Sequence, residues 1–313
     1  MSAVLVTAGP DEGLVWHHGD PMREQRTMAA GGGEVHLSNR EVLQVSGADR
    51  LDYLHSLTSQ HLSGLAEGGS TTALLLSPTG HVEHVLHGVE HDGCFWAWTE
   101  PGRGAELAAF LDRMRFMMRV EVTLRTDVEV VWAGRGVRDD AGAAVAVRHS
   151  DVAEGFEHIV PRGTTLGAEP VGSWAFEAMR IAQGVPRIGL DTDHRTIPNE
   201  IGLLGTHLDK GCYRGQETVA RVHTLGRPPR RLVQLHLDGS MEALPAHGAP
   251  VELDGREVGF VGSAERHHEL GPIALALVKR NVPTEATLLA EGISASQEAL
   301  VDPEVGLHVR PRL

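Results

Sequence analysis

Lys210-Gly211-Cys212-Tyr213-Arg214-Gly215-Gln216-Glu217 concentrates the scarcest chemistry of the chain in eight positions. Lys recurs only at 279, Cys only at 94 and Tyr only at 53, so 26 of the 28 basic residues are Arg (28 − 2). A primary amine in a chain that otherwise uses guanidinium points to a task for a compact point charge, which a planar fork does not fill. Cys212 lies two positions from both Lys210 and Arg214, and neighbouring positive charge favours thiolate over thiol. Gly211 and Gly215 mark a tight turn or a close approach to a ligand. The stretch reads as a reactive-thiol loop, with a chance surface cluster as the plain alternative.

Upstream of it, Ser173 is expected to cap a helix carrying Trp174, Ala178 and Ile181 along one side, which stops at Gly184 with Pro186 beyond. Downstream, Gly226-Arg227-Pro228-Pro229 marks a boundary, and the basic run Arg227 to Arg231 reads as a solvated linker. Strands are expected at 231–237, 250–253, 257–262 and 273–278, two of them joined by an Asp254-Gly255 hairpin turn. This last third is predicted to be a small β-barrel. Nearer the N-terminus, 71–76, 81–89 and 94–98 form an antiparallel meander with turns at Ser77-Pro78-Thr79-Gly80 and His91-Asp92-Gly93. A short amphipathic helix ending near Leu57 precedes it. Leu107, Phe110, Leu111, Met114, Met117 and Met118 keep helical spacing, and their methionines are expected in the core. Residues 1–33 show little pattern.

At 313 residues, 41% hydrophobic and 22% charged, the chain has the composition of a soluble globular protein of about two domains. A net charge of −14 argues against a general nucleic-acid binder. Two cysteines 118 positions apart (212 − 94) make no disulfide framework and suit a reducing compartment. The N-terminal stretch lacks a basic region followed by an apolar run, and no apolar run reaches the length of a membrane span. A cytoplasmic protein that binds neither nucleic acid nor membrane is expected. His81, Glu83 and His87 share one face of a strand, with His84 on the other. An extended strand sets its ends too far apart to meet at one ion, so a polar outer face is expected there and no metal is assigned. Cys94, within C-F-W-A-W, reads as a buried structural thiol. A Cys/His hydrolase built on Cys212 with His207 or His223 has no other support in the chain.

K-G-C-Y-R-G-Q-E resembles the K-G-C-Y-x-G-Q-E signature of the YgfZ family, folate-binding relatives of the glycine-cleavage aminomethyltransferase (T-protein). Weaker similarity runs from about Leu43 to the end of the C-terminal region. Arg180-Ile181-Ala182-Gln183-Gly184 and Ile197-Pro198-Asn199-Glu200 resemble, in order, the R-L-E-A-G and T-P-V-E stretches of aminomethyltransferases. In those enzymes the Glu of R-L-E-A-G reads the pterin ring; here Ala182 stands in its place, with Gln183 beside it. Glu106 falls near the position of their catalytic Asp.

The resemblance implies an α+β fold of three subdomains in a ring around a folate pocket, ending in a small C-terminal β-barrel. Residues 1–228 would form the folate-binding core, with roughly 50–133 as its inserted subdomain, and 229–313 the barrel. It implies tetrahydrofolate, or another reduced folate, held by Arg180, Gln183, Glu200, Tyr213, Arg214, Gln216 and Glu217. Cys212 would be the reactive thiol and Lys210 would tune it. The implied function is tetrahydrofolate-dependent assembly, maintenance or repair of iron–sulfur clusters. Client proteins or assembly factors would be partners of a monomeric chain. A true aminomethyltransferase and a non-catalytic folate-binding scaffold are the other readings. The absent carboxylate at Ala182 and the Glu at 106 favour the YgfZ branch.

Overall fold

A computed structural model of the chain describes residues 3–139 and 142–307, so the outer domain limits at 1 and 313 lie outside the described residues. The chain begins with a hairpin, β1 (Val4–Leu5) and β2 (Val15–His17), and helix α1 (Pro21–Ala29). Then come β3 (Glu34–Leu37), β4 (Glu41–Ser46), α2 (Arg50–Leu57), β5 (Ser70–Leu76), β6 (Val82–His91), β7 (Cys94–Thr99) and α3 (Gly104–Met114). Next are β8 (Glu121–Arg125), β9 (Val128–Ala133), β10 (Ala146–His149), β11 (Phe156–Pro161), α4 (Ser173–Ala182) and α5 (Gln216–Leu225). The last strands are β12 (Arg230–Leu237), β13 (Pro250–Leu253), β14 (Arg256–His267), β15 (Gly271–Lys279), β16 (Leu288–Ala290) and β17 (Ile293–Ala299).

These elements make a mixed α/β molecule of three sheet-based units. A five-stranded antiparallel sheet runs in the order β5-β6-β7-β4-β8, a four-stranded sheet in the order β10-β11-β9-β3, and β12-β15-β14-β13-β16-β17 close into a barrel. The expected meander is β5 to β7, and the expected hairpin turn is Asp254-Gly255, whose φ angles of 51° and 72° suit a two-residue loop.

The five-stranded sheet is the hub because both of its faces are covered. On one face α2 and α3 bury Tyr53, Leu54, Leu107 and Leu111 against Leu43, Leu75, Leu86 and Phe95. On the other, Val42, Val89, Trp96 and Trp98 share a core with Val130, Trp132 and Phe176 of the second unit. Nearby, Leu74, Leu76, Val82 and Val85 share another with Leu232, Leu275 and Leu277 of the barrel. Among the described residues no helix is long and apolar enough to cross a membrane.

Four local expectations need correction. Over 81–89 the polar outer face of the histidine strand is confined to its start at Glu83: His84 and His87 are 5% and 7% exposed, because the sheet is packed on both sides beyond that point. Two of the three methionines of the stripe, Met114 and Met117, leave the core, since α3 ends at Met114 and Phe116 turns left-handed (φ 47°), while Met118 packs against it. The run ending at Arg231 is no solvated linker, because Arg231 is fully buried and donates to the carbonyls of Arg280 and Val282. Ser173 caps nothing: Gly172 is the N-cap of α4, and Ser173 is its first helical residue.

Candidate functional site

The eight-residue loop is locked onto the β5–β6 turn. Gly215 has φ 80°, and a Cβ there would meet the Ser77 carbonyl oxygen at 2.4 Å, so only glycine fits. The Thr218 hydroxyl donates to the Thr79 carbonyl at 2.8 Å, and Arg214 pairs with Glu83 of β6 at 2.9 Å. The Tyr213 N–H donates to Gln216 Oε1 at 3.0 Å, closing the turn that starts α5. Glu217 is exposed in the first turn of α5, where its charge suits the helix N-terminus.

Lys210 has an unexpected placement. Its ammonium donates to the carbonyls of His55, Thr58 (2.6 Å) and Gln60 (2.9 Å) at the C-terminal end of α2, and lies 5.0 Å from the Tyr213 ring centre. Burial pulls its pKa down to about 8, an effect that three carbonyls accepting from the charged form oppose. All three N–H bonds of the ammonium are thereby used, and none is left for a thiolate at Cys212. Cys212 itself is exposed.

The residues expected to face a pterin are held by protein instead. Arg180 is fully buried and donates to Glu177, Asp191 (2.8 Å), the Val185 carbonyl (2.6 Å) and Ser263 of the barrel (2.7 Å). Gln183 accepts from the Ala153 N–H at 2.8 Å. Glu200 accepts from the Ile197 N–H and pairs with Arg230 at 2.9 Å. With these satisfied partners, Arg180, Gln183, Glu200, Tyr213, Arg214, Gln216 and Glu217 all stand off the walls of the cavity that adjoins the loop.

That cavity holds about 530 Å³ and lies between β6, the end of β7, the start of α3 and the segment 188–194. Val82, Val85 and Ile188 give it apolar surface, and Glu83, Glu106, Arg103 and Asp193 give it charge. Ser77 and Thr79, the residues that receive the Cys212 loop, form one rim. Three wall residues, His84, Thr99 and Glu100, carry buried side-chain atoms (Nδ1, Oγ1 and Oε1) with no hydrogen-bond partner among the described residues. Burial holds the His84 pKa below its ordinary value, against the raising effect of Glu106, so the ring is neutral near pH 7. Burial also works to raise Glu100, but the guanidiniums of Arg187 and Arg40 outweigh it and keep that carboxylate ionised.

A smaller cavity of about 230 Å³ escaped the sequence reading. Trp16 and Trp174 stack on its wall, ring centres 4.7 Å apart and planes 12° from parallel. Glu265 lines it too, its pKa pushed up by burial to about 8. The available signal was scarcity, since these are two of five tryptophans, but Trp16 falls in the N-terminal stretch that lacks periodicity.

Comparison with known proteins places this geometry. Residues 230–301 match the glycine cleavage T-protein C-terminal barrel domain, which are the residues that close the barrel here. A chloroplastic protein of Arabidopsis thaliana that bears the name of a transferase is 26% identical over 73% of this chain and 61% of its own length. The tRNA-modifying protein YgfZ of Edwardsiella ictaluri is 32% identical over 39% of each chain. An iron-sulfur cluster assembly factor IBA57 homolog of Aspergillus oryzae is 27% identical over 47% of this chain and 37% of its own. The match thus spans less than two thirds of each relative's length. Among solved structures, the glycine cleavage system aminomethyltransferase T of Bartonella henselae superposes with a TM-score of 0.79, over 97% of this chain and 95% of its own, at 19% identity. The chain thus carries a T-protein-type C-terminal barrel, shares the whole-chain fold of an aminomethyltransferase T, and is similar in sequence to a YgfZ and an IBA57 protein.

Proposed function

We propose that the chain binds a reduced folate in the 530 Å³ cavity and uses the adjoining Cys212 loop to assist iron–sulfur cluster assembly, maintenance or repair. The observation that carries the reading is the pairing of this cavity with the loop that grips its Ser77–Thr79 rim. The residues present fit such a ligand. Apolar side chains suit a flat ring, the exposed Glu83 and Glu106 carboxylates suit its hydrogen-bonding edge, and Arg103 suits a carboxylate tail. A reduced folate would supply one-carbon or reducing chemistry when bound. This chain's own part is to orient the ring, keep Glu100 ionised through Arg187, and present an exposed thiol for nucleophilic attack or for ligation of a cluster as cargo. In this reading the protein works in the cytoplasm as a monomer, with cluster-containing clients as partners.

Calorimetric titration of tetrahydrofolate into wild type and Cys212→Ala tests it. Both should bind in the micromolar range, about −8 kcal/mol, while only wild type should sustain activity of a cluster-dependent client. Absence of heat up to millimolar folate would remove the reading. One observation favours aminomethyl transfer as a second reading: Glu106 lies on the cavity wall. Ammonia release from an aminomethylated lipoyl carrier, lost in Glu106→Gln, would make that reading the correct one.

A further inference from the structure

The apolar stripe of α3 runs out of the fold. Leu107 and Leu111 are buried, but Met114 is 45% exposed, Met117 83% and Phe116 88%. Phe116 holds φ at 47°, a left-handed conformation that glycine or asparagine adopts at helix ends with less strain. The backbone is therefore strained at the residue that carries an aromatic ring into solvent, and such strain is commonly tied to function.

The stripe also leads to the thiol loop. Phe110 and Met114 stand at i and i+4 on one face of α3, and the Arg214 guanidinium lies 5.1 Å from the Phe110 ring centre. One face of the molecule thus joins the loop of exposed Cys212 to Phe110, Met114 and the Phe116–Met117 tip.

Charge indicates what covers this tip. Arg113, Arg115 and Arg119 surround it in a chain of net charge −14. Arg115 pairs with Asp112 at 3.2 Å and Arg119 with Asp49 at 2.6 Å, contacts exposed enough for water to weaken them. Arg113 is exposed and has no ionic or hydrogen-bond partner among the described residues. A second copy docked through the same patch would set arginine against arginine. An anionic membrane would be repelled by the rest of the chain. Phe, Met and Arg together are the composition of a protein interface centre, and Met adapts to varied partner shapes.

We propose that the Phe116–Met117 tip and its arginines dock a partner protein whose face is acidic around an apolar hollow, which sets that partner beside Cys212. Its identity as the client of Cys212 rests on the function proposed above; the docking does not.

The test places photoreactive benzoylphenylalanine at 116 in the full chain, with Met241 on the barrel side, 47% exposed, as the control position. The cross-linked protein is identified by mass spectrometry, purified, and titrated against wild type, Phe116→Asn, Arg113→Glu and Cys212→Ala. Asn suits the left-handed backbone, so Phe116→Asn should melt no lower than wild type while binding at least tenfold more weakly. Arg113→Glu should also bind at least tenfold more weakly, added salt should weaken wild type, and Cys212→Ala should bind as wild type. Cross-links to a second copy, to lipid, to the same proteins as at 241 or to nothing overturn the proposal. So does a partner whose affinity ignores both substitutions. A partner that docks as stated but carries no cluster leaves the docking standing and removes the cluster function.

Discussion

At the scale of one residue, Lys210 shows why a scarce amine sits where arginine is the habit of the chain. The last carbonyls of a helix have no partner within it, and a cation near them is favourable. Lys210 meets three at once, from His55, Thr58 and Gln60. An ammonium aims its N–H bonds tetrahedrally at converging acceptors, whereas a guanidinium holds its donors in one plane. Lys210→Met should therefore cost about 1.5–3 kcal/mol by urea unfolding, the range for hydrogen bonds to a charged group, and Lys210→Arg should restore less than half of it. Full rescue by arginine would show that position 210 needs only positive charge. The nearby His55 sharpens the point, because its Nδ1 accepts from the Leu62 and Ser63 N–H groups at 3.2 and 3.4 Å. Burial first, then the Lys210 charge, holds its pKa below the ordinary value.

At the scale of elements, the Cys212 loop is a wedge between the β5–β6 turn and α5, and Gly215 is its tightest point. Alanine there would keep a strained φ of 80° and press its Cβ on the Ser77 carbonyl. Gly215→Ala should cost about 2 kcal/mol or more and change the alkylation rate of Cys212 as the loop lifts off its seat. A variant that melts and reacts like wild type would show that the loop is free of that rim. The motif that announced this loop was legible in the sequence, as were the β5–β7 meander, α2 and the Asp254-Gly255 barrel hairpin, because each declares itself through short-range pattern. What stayed hidden depends on distant partners. Alternation along β6 could not show that both faces are covered, so His84 and His87 were misplaced. Helical spacing could not show that Phe116 would end α3 early. Arg180 bonds Ser263, 83 positions away, and Glu200 bonds Arg230, so both are held by distant partners and stand off the cavity beside the loop. In α1 the Asp20 cap and Pro21 were readable start signals, but the helix buries Glu24 and Gln25 beside Met28 and shows no apolar stripe.

At the scale of the molecule, one buried ionic network ties the units together around the cavity. Arg187 donates to Glu100 after β7 (2.9 and 3.0 Å), to Asp11 of the N-terminal segment (2.6 and 3.0 Å) and to Glu177 of α4 (3.2 Å). Arg180 carries the network to the barrel through Asp191 and Ser263. Removing one member of such a cluster leaves charges buried without a partner, which costs about 3–5 kcal/mol. Arg187→Met should lose that much at pH 7. The pH dependence distinguishes this cause from lost packing. Glu100 and Asp11 both have folded pKa values below their ordinary ones, because the guanidiniums outweigh burial. A depressed carboxyl adds stability that is present above its unfolded pKa, roughly 4, and is lost as pH falls through the folded value. Wild type should therefore weaken in acid. In Arg187→Met the same carboxyls, now short of positive charge, have raised pKa values and gain by taking up protons. The gap between the two proteins in urea unfolding should be widest at pH 7 and narrow steadily toward pH 3.5. A gap that stays constant across that range would assign the loss to the missing side-chain volume and would remove the ionic network as the clamp that holds the units around the cavity.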